Sequence, residues 1–115
     1  MPCQKEVVSA VGEAVRKFMN SHMGECAEEI FTRVVDDAII VKLKGVFPPA
    51  ESNLCREDKG MKLIAELKTK LMERAKPLLK VIIEDITDAK VLDIHSNFDP
   101  QAGEHVEVFI LDRRL

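Results

Sequence analysis

The chain has 115 residues, 46% of them hydrophobic and 32% charged, with Gly 5 and Pro 5, which describes a single globular domain spanning 1–115 and excludes a disordered half. A domain of this size buries roughly two thirds of its unfolded surface and needs no disulfide or metal to hold it. Net charge is -3 with both signs interspersed, and Trp and Tyr are absent, so the basic footprint and stacking platform of a nucleic-acid binder are both missing.

From Lys5 to Met23 the positions Val7, Val8, Val11, Ala14, Val15, Phe18, Met19 and His22 recur at spacings of three and four, the stripe of an amphipathic helix. Gly24 supplies its stop. Glu29–Val35 and Ala38–Val46 are rich in β-branched residues and flank Asp36-Asp37, a hairpin with a tight acidic turn. In the second strand Ile39, Val41 and Leu43 share one parity, while Lys42 and Lys44 share the other with Ile40 and Val46.

Pro48-Pro49 ends the strand and suits the first turn of a helix, where Glu51 favours the positive end of the dipole. Beyond it, Ile64, Leu67, Leu71, Ala75, Leu78, Ile82 and Ile86, widened by Leu63, Leu79 and Ile83, predict a long helix with these residues on its buried stripe. Asp58 is the expected N-cap after a short first helix, and Pro77 is expected to kink the main one. Lys90–Ser96 and Glu104–Asp112, joined through Phe98–Gly103, form a second hairpin. The order α-β-β-α-β-β predicts an α+β two-layer sandwich, a four-stranded and mostly antiparallel sheet with helices on one face.

If Val41, Leu43, Leu92, Ile94, Val106, Val108 and Ile110 face the helices, the second face carries Phe31, Val35, Ile40, Val46, Phe109 and Leu111. Arg33, Lys42, Lys44, Asp93, His95, His105 and Glu107 share it. Apolar residues rimmed by charge on an open sheet mark a surface for a second copy or another protein. Phe31, Arg33, Ile40, Lys42, Lys44 and Phe109 are its expected contact residues. Pairing Ile94 with Val106 sets His95 beside His105 and Asp93 beside Glu107, a ligand set suited to a divalent transition metal.

No arrangement of residues calls for catalysis. Cys55 has no base placed with it, and His22 reads as a packed or capping histidine near a helix end. The five Met residues read as core filler, and Glu28-Glu29 and Glu84-Asp85 as solvated charge. Cys3, Cys26 and Cys55 are odd in number and lack C-x-x-C spacing, which predicts free thiols in a reducing compartment. Met1-Pro2-Cys3-Gln4-Lys5-Glu6 carries no charged leader before an apolar run, and no stretch reaches the ~20 apolar residues of a membrane span. The expectation is a cytoplasmic protein without membrane insertion.

Several stretches together resemble the MpsC family of small bacterial proteins. They are Phe18-Met19 through Met23-Gly24, Ile39 through Val46 with Pro49-Ala50-Glu51 and Leu54, Arg74 through Leu79, and Val108 through Asp112. The match runs nearly end to end; after Met23-Gly24, where the family favours a glycine-proline pair, this chain has Glu25-Cys26. The resemblance implies a cytoplasmic accessory to membrane machinery for cation or inorganic-carbon transport, and it brings no catalytic or cofactor-binding residues. Two functions follow as expectations. One is a non-enzymatic accessory or regulatory domain that forms a homo-oligomer, or docks on a protein such as a membrane transport complex, through the second sheet face and the helix-start loop. The other is a small-ligand or metal-binding protein, with an enzyme as one form of it, built on Asp93, His95, His105 and Glu107.

Overall fold

A computed structural model describes residues 3–115. Met1 and Pro2, part of the segment read for a leader, lie outside the described residues. In chain order the elements are α1 (Gln4–Met23), β1 (Glu29–Val35), β2 (Ala38–Lys44), α2 (Pro49–Leu54), α3 (Asp58–Thr87), β3 (Val91–Asp99) and β4 (Glu104–Leu111). The strands form one antiparallel sheet in the order β1-β2-β4-β3, so each predicted hairpin forms and the two join through β2 and β4. Helices α1 and α3 pack on one face, giving the expected α+β sandwich.

The element ends obey local chemistry. Gly24 closes α1 at φ 66, and its backbone N–H bonds the Met19 carbonyl. Asp36 takes φ 59 in the turn between β1 and β2, a left-handed conformation that Asp tolerates better than most side chains. Gly45 adopts φ 71 just beyond β2. That reversal breaks the alternation, so Val46, expected on the second face, is instead buried in the core.

The core joins Val11, Val15 and Met19 of α1 to Ile39, Val41 and Leu43 of β2 and to Phe109 and Leu111 of β4. Helix α3 adds Met72, Leu79 and Ile83. Its N-cap is Glu57, one residue before the expected Asp58. Pro77 lies inside a helix that continues through it. The buried stripe of α3 also differs from expectation: Ile64, Lys68, Met72, Leu79 and Ile83 point inward, while Leu63, Leu67 and Leu78 are exposed.

Gly60 lets α2 and α3 meet. A Cβ there would stand 1.8 Å from the Leu54 carbonyl oxygen, and backbone cannot yield as a flexible side chain can. Gly60→Ala is expected to destabilise the fold by about 1–3 kcal/mol despite the better helix propensity of Ala, read as a lower midpoint in urea unfolding.

Candidate functional site

The face of the sheet away from the helices carries four cross-strand rows, one of them the charged set Glu29, Lys44, Glu104 and Asp99. Arg33, Ile40, Val108 and His95 stand side by side, as do Phe31, Lys42, Val106 and Asn97, and Val35, Ala38, Ile110 and Asp93. Alternation along each strand puts these residues on one side. Ile40, Val106, Val108 and Ile110 therefore form a central apolar band that is only partly covered by its neighbours. Phe31 and Val35 are exposed at one margin, and Leu92 is 66% exposed at the other.

Charge on this face is uneven between strands. Arg33, Lys42 and Lys44 outnumber Glu29 on β1 and β2, while Asp93 and Asp99 lie on β3 and Glu104 on β4. Lys42 and Lys44 reach the Glu104 carboxylate at 3.6 and 3.9 Å, and Lys44 Nζ lies 5.6 Å from the centre of the Phe31 ring. Five of the expected contact residues, Phe31, Arg33, Ile40, Lys42 and Lys44, are thus on this face. Phe109 is not: it is fully buried beneath the helices.

The last hairpin takes a different register from the expected one. Ile94 pairs with Phe109 rather than Val106, and His95 with Val108. Strand β3 runs on through Phe98 to Asp99, opposite Glu104, leaving Pro100–Gly103 as the connection. An irregularity between Val91 and Asp93 turns Leu92 outward, although it was expected to face the helices. Val106, Val108 and Ile110 lie outside, whereas His105, Glu107, Phe109 and Leu111 lie inside. The physical reason is burial: this parity places the large Phe109 and Leu111 in the core beside Ile39 and Ile94.

The four residues expected to converge on a metal are therefore divided by the sheet. Asp93 and His95 meet each other on the open face, with His95 Nε2 3.2 Å from Asp93 Oδ2. His105 and Glu107 lie inside, in a network that the sequence reading did not anticipate. His105 Nδ1 stands 2.8 Å from Glu25 Oε2, and Nε2 stands 3.2 Å from Glu107 Oε1. The Ser96 hydroxyl donates to Glu107 Oε1 at 2.9 Å, and the Phe98 ring packs on the imidazole at a centroid distance of 4.2 Å.

Lys68 extends this network into α3. Its ammonium lies 3.8 Å from Glu25 Oε1, 3.1 Å from Glu51 Oε1 and 5.4 Å from the centre of the Phe47 ring. Glu25, Lys68, His105 and Glu107 are all essentially closed to solvent. Burial works against the charged imidazole, but hydrogen bonds to Glu107 and Glu25 and their negative charge outweigh it and raise the His105 pKa to about 9. At neutral pH His105 is an imidazolium, with both ring nitrogens donating and no lone pair for a metal or a proton. The network joins α3, α2, β4 and the segment after α1.

Two signals of this network stand in the sequence. Lys68 occupies the same helical phase as Ile64 and Met72, and His105 and Glu107 share the parity of Phe109 and Leu111. Glu84, read as solvated, is half-buried and accepts the Val91 N–H at 2.8 Å, tying α3 to the start of β3. His22 is exposed in the last turn of α1, its ring 4.4 Å from that of Phe18.

The fold and the open face define a small α+β sandwich with an uncovered sheet surface. A family model described as "Na+-translocating membrane potential-generating system (MpsC)" matches residues 4–113, and the chain belongs to this family. It is similar to "Uncharacterized protein YbcI" of Bacillus subtilis (strain 168), 32% identical over 105 residues that cover 91% of this chain and 85% of that protein. No solved structure matches. No helix among the described residues is long and apolar enough to cross a membrane.

The network predicts a stability that depends on pH. His105 titrates at about 9 in the folded chain against an ordinary value of 6.5, so its contribution is complete below about 6.5 and is lost as pH rises through about 9. Thermal unfolding across that window should show a loss of roughly 3 kcal/mol, and His105→Gln should lower Tm at neutral pH and flatten the decline. Lys68→Met leaves Glu51 without its cation and Glu25 with His105 alone, and is expected to cost about 3–5 kcal/mol in urea unfolding.

Proposed function

We propose that this protein is a non-enzymatic accessory domain that acts through protein–protein contacts, pairing with a second copy of itself through the open face of the sheet. The observation that carries this reading is the Ile40, Val106, Val108 and Ile110 band, left uncovered by the helices of its own chain. A continuous apolar face rimmed by charge is a typical interaction surface. Its division of charge favours a second copy. A two-fold axis parallel to the strands lays β1 and β2 of one copy over β3 and β4 of the other, so Arg33 and Lys44 of each approach the acidic side of its partner. Sheets packed in this way keep their strands nearly aligned.

The family description supports a place beside membrane transport machinery, and a pair of such domains would serve there as a regulator or assembly factor. Exposed free thiols at Cys3 and Cys26 support a reducing, cytoplasmic setting.

Light scattering coupled to size exclusion is expected to give the mass of a dimer for the native chain. Ile40→Glu combined with Val108→Glu places like charges in the middle of the paired faces and is expected to give a monomer that remains folded, because both side chains point away from the core. A native chain that runs as a monomer at tens of micromolar would sink the pairing.

A further inference from the structure

The outward side of α3 bears a second surface, independent of the sheet. Leu63, Leu67, Leu78 and Val81 are each exposed, Leu63 to 57% and Val81 to 60%. With Lys70, Arg74 and Pro77 they lie along one line of the helix, because Leu63, Leu67, Lys70, Arg74, Pro77 and Val81 follow one another at spacings of four and three. This line lies roughly opposite the buried side carrying Ile64, Lys68, Met72, Leu79 and Ile83 and faces solvent, with Pro77 at its margin bordering a groove against β3.

Charge around the middle of the line is mostly cationic. Between Lys59 and Lys80, Lys59, Lys62, Lys70, Arg74 and Lys80 are exposed and Lys76 is half-buried, against the two carboxylates Glu66 and Glu73, while the exposed Asp58 and Asp85 stand at the two ends of the helix. The whole chain carries -3. An acidic protein has therefore gathered cations around the exposed leucines of one helix. A basic amphipathic helix surface fits an anionic lipid bilayer, where apolar side chains enter the headgroup boundary and cations meet the phosphates.

We propose that the outward face of α3 is a docking surface for an anionic membrane, on which the helix lies flat without crossing it. The alternative occupants fit less well. In an antiparallel pairing of two α3 helices, Lys70 of one copy would meet Arg74 of the other at the centre of the seam. A partner helix of another protein would have to bury both cations at contact positions and accommodate Pro77. On a bilayer neither cost arises: the stems of Lys70 and Arg74 lie along the apolar surface while their charged ends reach the phosphates. The attraction is electrostatic at the headgroups, so added salt weakens it.

The test is co-sedimentation of the full chain with vesicles of equal parts phosphatidylglycerol and phosphatidylcholine, against vesicles of phosphatidylcholine alone. Binding is expected to the anionic vesicles only, to fall with added salt, and to weaken roughly tenfold or more in Lys70→Glu combined with Arg74→Glu. Leu63→Ser combined with Val81→Ser alters only exposed positions and is expected to weaken it as well, with an unchanged circular dichroism spectrum. The sheet variant carrying Ile40→Glu and Val108→Glu should bind vesicles as the native chain does. A paired native chain presents α3 on opposite sides and should also clump them, which the sheet variant should not. A chain that stays in solution with anionic vesicles at low salt, or α3 variants that bind undiminished, would overturn the proposal; the former would leave an acidic amphipathic protein segment as the occupant.

Discussion

A lysine ammonium held out of water at the junction of four segments governs this structure. Lys68 is 1% exposed, and an isolated charge in that position would be far too costly to keep. It is tolerable only while Glu25 beyond α1 and Glu51 in α2 stand beside it, with Glu25 also bonded to His105 in β4. Residues far apart in sequence are thereby tied to one point. Such a network contributes little net stability compared with a well-packed apolar core, but breaking one partner is severe. Its chief effect is selection: a one-residue slip of β4 would expel His105 and Glu107 and leave Glu25 and Lys68 without their neighbours.

The same constraint explains what the sequence could and could not disclose. Elements and their order were legible because each is punctuated by local chemistry: Gly24 after α1, Asp36-Asp37 between β1 and β2, Pro48-Pro49 before α2. The phase of α3 and of the last hairpin was not legible. Strand β4 offers Val106, Val108 and Ile110 on one parity and Phe109 and Leu111 on the other, so hydrophobicity alone does not decide which side enters the core. The deciding partners of His105 include Glu25, 80 positions away. Phe31, Arg33, Val35, Ile40, Lys42 and Lys44 nevertheless lie on the expected face, because β1 and β2 alternate without ambiguity and are joined by a two-residue turn.

The buried ion network and the exposed leucines of α3 are two consequences of one rotation. Periodicity alone would centre the buried stripe of α3 on Leu67, Leu71, Leu78 and Ile82. With Lys68 inward the stripe is turned by part of a residue position: Leu71, Ala75, Ile82 and Ile86 still pack half-buried against the core, while Leu67 and Leu78 leave it. Ile64, Met72, Leu79 and Ile83 still fill the core in that orientation, so the apolar loss is limited, while Leu63, Leu67 and Leu78 are displaced into solvent. The same orientation thus puts Lys68 beside the buried carboxylates and Leu63, Leu67 and Leu78 on the opposite side. Turning the helix back would draw the buried Met72, Leu79 and Ile83 out of the core as well as Lys68 out of its network. Inner network and outer surface are therefore coupled through the orientation of a single helix, and whatever α3 presents to its surroundings is set by the charge it holds inside.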